Sequence, residues 1–551
     1  MLFNYKYGGH TQISSTSRST SMSFAPDTLR EQTYFVGKLQ QKLAFREAIA
    51  ALHDVVVSDL RFQSKDRTAY KEWAAEQEMA WMSEYATKLD LRENEERIKW
   101  LQRDLNLLQK RRHEMMKPFW EARMKYFDFI YKNDRDMWIV LDPIITIHPE
   151  ELFFECFSKD ESTYAKLEAN YETFKEINEF QCGTTNIDYS HDLYQEFQKI
   201  RDYKETDFRI DPKGFSVQTT NEEIFHEKKI EVPESWVRGF LQVSSAMTLP
   251  AISFELHSMD IYNICSLLRR FKENSGPRSM VFILRPNQPI SILFEPFNKE
   301  IVCARSIYQG DESQTIRVWG RRRLLVLERL IPLAKKFTVH LLGSGLPSFF
   351  IAEMGDMNFT LGLSGWTAND WSRVGNFDLM APRANVDTFT AEKVFSVLKK
   401  SFLAKPEMLA KELNLDIKTV LGALSLYTQA GKVIFDIKKG VYRLRELSKE
   451  PLPMDALRFA NDRERLAREL LTQQRIAVKK VYVENGLRLE GEFTWSEKIW
   501  HPTAIIDADE KLVEATCTCD FHIRNKLYKG PCEHILALRI AEKNTSALIS
   551  T

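Results

Sequence analysis

Near its C-terminus the chain reads CTCDFHIRNKLYKGPCEH over residues 517–534, and no other stretch constrains the fold as tightly. Three of only seven cysteines fall within it, beside a histidine. Cys517, Cys519, Cys532 and His534 form a soft, thiolate-rich donor set with one imidazole, which suits a single tetrahedral Zn²⁺. The spacing fits: Leu512 to Thr516 reads as a strand, and residues two apart on extended chain face one side, so Cys517 and Cys519 can present both sulfurs together. Residues two apart in a regular helix diverge by about 200°, so Cys532 and His534 must stand at a helix start. Gly530 and Pro531 supply that turn ahead of ILALRIAEK. A tetrad of this kind leaves no open position for water or substrate. The zinc is therefore expected to be structural, contributing about 10–16 kcal/mol of folding free energy by analogy with small zinc modules. Asp520 and His522, inside the loop, are expected to face solvent.

The remaining cysteines, Cys156, Cys182, Cys265 and Cys303, are isolated, as reduced and buried thiols would be. Lys+Arg and Asp+Glu each number 77, so no global positive field draws the chain to nucleic acid or an anionic membrane. The N-terminus lacks the apolar core of a signal peptide, and no window nears the ~18 apolar residues of a membrane span. A cytoplasmic protein with no membrane partner is expected.

At 551 residues the chain is too long for one core, and with 44% apolar residues it can bury several. Residues 1–28 are Ser- and Thr-rich and read as a flexible tail. Residues 29–135 read as a helical region, because Lys38 to Lys117 holds no Gly or Pro and is dense in strong helix formers. Residues 136–229 read as a mixed connecting region with strand-like runs IVLDPIITIH and FFECF. Residues 230–385 form a central α+β domain: the strands SMVFIL, ISILFEP, EIVCARS and TIRVW, the helix-like GRRRLLVLERLIPLAKKF, then FTVHLLG, SFFIAEM and NFTLGL. Residues 386–450 hold three short helices and a two-stranded hairpin, with Pro406 suited to a first turn, Asp416 to an N-cap and Gly431 to a C-cap. That order is the winged-helix arrangement. Its third helix offers only Lys418, Thr419, Ser425 and Gln429 to a major groove, although Lys432, Lys438, Lys439, Arg443 and Arg445 give the wing cations suited to phosphate. A structural or protein-contacting winged helix is the preferred reading. The fold class is thus multidomain α+β, closing with a β-rich zinc finger at residues 475–545.

Cys-x-Cys, a spacer of twelve and Cys-x-His leading into an apolar helix resemble the SWIM zinc finger, and GPCEHILAL is similar to its second half. WVRGFLQVSSAMTLP, RVWGRRRLLVLERLIP, LGLSGWTANDWSR and GVYRLRELSKEPLP resemble a group of long bacterial SWIM-containing proteins. That resemblance implies no reaction. It implies an adaptor or target-recognition role beside MoxR-type AAA+ ATPases and von Willebrand A domain proteins.

No HExxH, nucleophile elbow, kinase set or Walker loop is present, so a non-enzymatic interaction protein is expected. Contact candidates are Arg524, Lys526, Tyr528 and Lys529 on the finger loop. Arg321, Arg322 and Arg323, beside Trp319, form either a phosphate-and-stacking clamp or the solvated start of a helix. The rival reading is nucleic-acid binding through the finger and the winged helix.

Overall fold

Strand runs with apolar residues at every second position dominate the middle of the chain, and in the computed structural model they pair into sheets. The structure describes residues 12–15, 19–24, 33–58, 143–178, 180–186, 194, 197–210, 234–272, 278–365, 370–371, 377–381, 386–447, 462–473, 478–483, 486–495, 498–507 and 512–549. All of them belong to one folded unit built from residues 1–58 and 141–551. Most of the helical region expected over residues 29–135 lies outside the described residues; inside them stand the strand Tyr34–Leu39 and helix α1, Lys42–Val56.

An eight-stranded antiparallel sheet forms the centre. Its order is Ile252–Leu256, Lys336–Leu341, Ser348–Glu353, Met357–Leu363, Thr163–Asn170, Glu151–Phe157, Ile144–Ile147 and Gly183–Asn186. Two three-stranded meanders meet where Thr163–Asn170 pairs with Met357–Leu363, in the register Leu167 opposite Phe359. Four strands of residues 136–229 stand in the same sheet as those of residues 230–385. The reason is in the strand pattern. Leu152, Phe154 and Cys156, with Ala165, Leu167 and Ala169, enter one core, which needs the partner meander to close it.

That core is shared with α1, with the helix Ser258–Arg270, and with a second, four-stranded sheet ordered Lys299–Ile307, Pro289–Phe294, Ser279–Leu284 and Gln314–Trp319. Helix α2 spans Glu234–Met247 and α3 spans Ser258–Arg270. The segment GRRRLLVLERL forms a 3-10 helix, Arg321–Leu330, which buries Leu324, Leu327 and Leu330 against α1 and α3. The Ser-rich segment expected to be a flexible tail instead carries strands Gln12–Ser15 and Ser19–Phe24, the second pairing parallel to Glu205–Ile210. Main-chain hydrogen bonds to a sheet edge give a polar tract an ordered place that its side-chain composition does not announce.

The opposite face of the large sheet is covered by α2 and by the segment from residue 386 onward. Helices α4 (Thr388–Ser401), α5 (Pro406–Leu413) and α6 (Ile417–Gln429) precede the strands Val433–Asp436 and Val441–Leu444. Pro406 opens α5, and the Asp416 carboxylate caps α6 by accepting from Lys418 N at 3.1 Å. Further on, α7 (Asp462–Gln473) packs on α9 (Glu533–Ile549), with the short α8 (Asp520–Asn525) between the two cysteine pairs. The finger sheet runs Lys479–Val483, Gly486–Glu490, Thr503–Ile506 and Leu512–Thr516, all antiparallel. Among the described residues no helix is long and apolar enough to cross a membrane.

Candidate metal centre

Strand Leu512–Thr516 runs directly into Cys517 and Cys519, as its alternation requires. Cys519 is then the N-cap of α8, its Sγ accepting from His522 N at 3.4 Å. The chain returns through Gly530, held at φ +82° with its N–H donated to Leu527 O, a conformation that suits glycine alone. Pro531 follows, and Cys532 O accepts the first helical hydrogen bond of α9 from Leu536 N at 3.1 Å. His534 is thereby set in the first turn of α9.

One ligand atom from each of Cys517, Cys519, Cys532 and His534 lies within 4.8 Å of all the others, and all four residues are buried. A tetrahedron with ligands at about 2.0–2.3 Å has edges of about 3.5–3.8 Å, so the set fits one ion with little adjustment. The thiols are free of disulfides. Hydrogen bonds from Cys517 and Cys532 hold the Cys519 thiol well below the usual thiol range; the contact with Cys519 pushes Cys517 up to about 12, and contacts with Cys517 and Cys519 raise Cys532. Three sulfurs forced to share protons in this way are the donor set that a divalent cation relieves. The imidazole of His534 is fixed between Trp500, 4.7 Å away, and Phe493, 5.6 Å away, and its Nδ1 has no hydrogen-bond partner. Glu533 Oε1 stands 3.6 Å from that nitrogen, beyond hydrogen-bond distance, which leaves the ring free to serve as a ligand.

Asp520 is exposed, as expected, but His522 is not. It is 2% exposed, because α8 turns it inward under the Cys519 cap, and it is not one of the four clustered residues. Arg524 and Lys526 are exposed on and after α8, next to Ile523 at 56% exposure. Tyr528 and Lys529 are partly buried, with Tyr528 packed against Gly345 of the turn before Ser348–Glu353. The finger loop is thus docked at its Tyr528 end and open at its Arg524 end.

The arginine run divides differently. Arg321 is fully buried, and its Nη1 donates to Ser279 O and Glu295 O. Arg323 is also buried, 3.6 Å from Asp160, and Arg322 donates to Leu268 O. Buried guanidiniums that hold main-chain carbonyls and a carboxylate are neither the solvated helix start nor the surface clamp read from the sequence. Trp371 of LGLSGWTANDWSR is in the core, while Trp366 lies outside the described residues.

The hairpin cations are engaged as well. Arg443, fully buried, meets Asp436 and Glu151, each at 3.0 Å, and Glu150 at 3.1 Å. Arg445 meets Glu155 at 3.0 Å, Lys439 meets Glu151 at 2.7 Å and Lys438 meets Glu353 at 3.2 Å. The buried trio Glu151, Glu168 and Asp436 could by its spacing hold a metal, but Arg443, Lys439 and Lys166 stand among its oxygens. It is an ion-pair network that fastens the hairpin to the sheet.

The sequence reading missed Phe493 and Trp500 as walls of the site. Their spacing from His534 is 41 and 34 positions, and nothing local marks the contact.

No curated protein matches this chain. Among solved structures the chain is similar to the crystal structure of proliferating cellular nuclear antigen from Entamoeba histolytica, at 12% identity and a TM-score of 0.29, over 41% of this chain and 89% of that chain. A likeness at that level carries no argument. Residues 503–541, which hold all four clustered ligands, match the family model of the SWIM zinc finger.

Proposed function

We propose that the protein is a zinc-stabilised, non-enzymatic interaction protein whose C-terminal finger is a rigid recognition element. The observation that carries this reading is the closed tetrad: four buried protein ligands leave no position for water or substrate, so the ion braces the fold and does no chemistry. The partner class is a protein, with a MoxR-type AAA+ ATPase or a von Willebrand A domain protein as the first candidates to test. Residues 386–450 are read as a winged helix used as a structural element. Its third helix, α6, buries Val420 through Ser425 and packs on α2, α4 and α5, and its hairpin arginines point into the sheet. A helix enclosed in this way offers no face to a major groove.

The second reading, nucleic-acid binding through the finger, is favoured by one observation, the exposed pair Arg524 and Lys526 beside Ile523. Affinity purification from the native cell, followed by binding assays with duplex and single-stranded DNA and RNA, separates the two. Stoichiometric recovery of a protein partner, lost in an Arg524→Glu/Lys526→Glu variant, supports the first. Nucleic-acid affinity that falls steeply with salt and disappears in that variant, without a protein partner, overturns it.

A further inference from the structure

Helix α7 lies outside residues 503–541, yet one of its side chains touches the chain beside both halves of the ligand set. Arg463 Nη1 donates to Pro531 O at 3.0 Å and to Gly530 O at 3.4 Å, the two residues that turn the chain into Cys532. The guanidinium carbon also stands 4.7 Å from the centroid of Phe521, two residues after Cys519. One cation therefore ties the turn before the third thiol to the helix after the second.

The donor chemistry supplies a reason for this placement. Three thiolates and a neutral imidazole around a divalent cation leave one net negative charge, and these ligands are buried. An uncompensated buried charge is costly, and a cation in the same neighbourhood offsets it. A guanidinium suits this role better than an ammonium, being weakly hydrated, planar enough to lie on Phe521 and able to donate to two carbonyls at once. Burial pulls the pKa of Arg463 below the usual arginine value, while Asp378, Glu533 and Cys532 act the other way and Arg238 adds to the lowering.

We propose that Arg463 is a positioning residue of the metal centre, holding the Gly530–Pro531 turn ahead of Cys532 while lying on Phe521 behind Cys519, so that the working finger begins at α7. The proposal rests on the zinc reading above.

The test uses the full chain with Arg463→Lys, Arg463→Gln and Arg463→Ala, zinc affinity measured by competition with a chromophoric chelator, and cobalt(II) as a spectroscopic probe of the site. Expected is a zinc affinity weakened about 10- to 100-fold in the Gln variant, the range for outer-shell partners of metal ligands. The Lys variant, which keeps the charge, should recover part of that loss, and all variants saturated with cobalt should show tetrahedral ligand-field bands. Should the Ala variant fail to fold, the Lys and Gln pair still decides. Affinities within about twofold of wild type in both overturn the proposal alone, as do equal losses in Lys and Gln with the tetrahedral bands gone, which would mark a packing contact. A wild-type chain that binds no zinc overturns the metal reading itself, and this proposal with it.

Discussion

Replacing Arg443 with Met is the sharpest probe of how the hairpin is fastened to the sheet. The side chain is fully buried, and its three carboxylate partners stand at 3.0, 3.0 and 3.1 Å. Glu150 is 51% exposed, so its pair is screened and contributes little, at most about 1 kcal/mol. Asp436 is buried and accepts a hydrogen bond from Arg443 Nε, which contributes about 1.5–3 kcal/mol, while buried Glu151 is an ion pair at 3.0 Å without hydrogen-bond geometry. Breaking a buried pair by removing one partner costs about 3–5 kcal/mol. Lys439 still neutralises Glu151 and Lys166 still acts on Asp436, which pulls the expected loss to the low end, about 3 kcal/mol. Urea unfolding followed by circular dichroism gives the loss, and hydrogen exchange should rise first in residues 433–444. A Glu151→Gln change in the same background should recover part of it, since one orphaned charge is then removed. A loss below about 1 kcal/mol, with exchange in the hairpin unchanged, would refute the reasoning.

Acid should destabilise the protein in two steps. Burial holds His148 and His340 down at about 4, so between the ordinary histidine value of about 6.5 and about 4 the unfolded chain binds protons that the folded one refuses. Their contribution is complete above the upper limit and is lost as pH falls to the lower, by up to roughly 3 kcal/mol each; His148→Gln should remove about half of that slope in pH-dependent urea melts. Asp436, set at about 2 with burial opposed by Lys166 and Arg443, contributes stability above the ordinary aspartate range that disappears as pH falls through about 2, and Asp436→Asn should abolish this second step. At Gly345, φ is +74° and an added Cβ would lie 2.5 Å from the Tyr528 ring, so Gly345→Ala should cost about 1–3 kcal/mol and raise exchange at residues 526–530.

The ligand set was legible because its geometry is local: a strand end, a Gly-Pro turn and a helix start are each written within a few residues of Cys517, Cys519, Cys532 and His534. The strands of the central sheet were legible for a similar reason, since SFFIAEM and NFTLGL carry their apolar pattern openly. What the sequence hid is pairing at long range. Glu151, Glu155, Lys166 and Glu168 alternate with apolar residues as a solvated face does, yet that face is covered by the hairpin and α2, and each charge finds its partner there or on the neighbouring strand position. Arg321 and Arg323 misled in the same way, because a run of arginines looks exposed until the carbonyls and the carboxylate that neutralise it are seen. Arg463 contacts residues 67 and 68 positions away, and an amphipathic, charge-rich helix gives no sign of which of its arginines is taken.

X-ray absorption at the zinc edge on the purified full chain tests the central claim most directly. The account predicts one zinc per chain with three sulfurs at about 2.3 Å and one nitrogen at about 2.0–2.1 Å, unchanged by added substrate-like ligands. A chain without zinc, or a zinc whose shell contains an oxygen in place of one of these four donors, would contradict it.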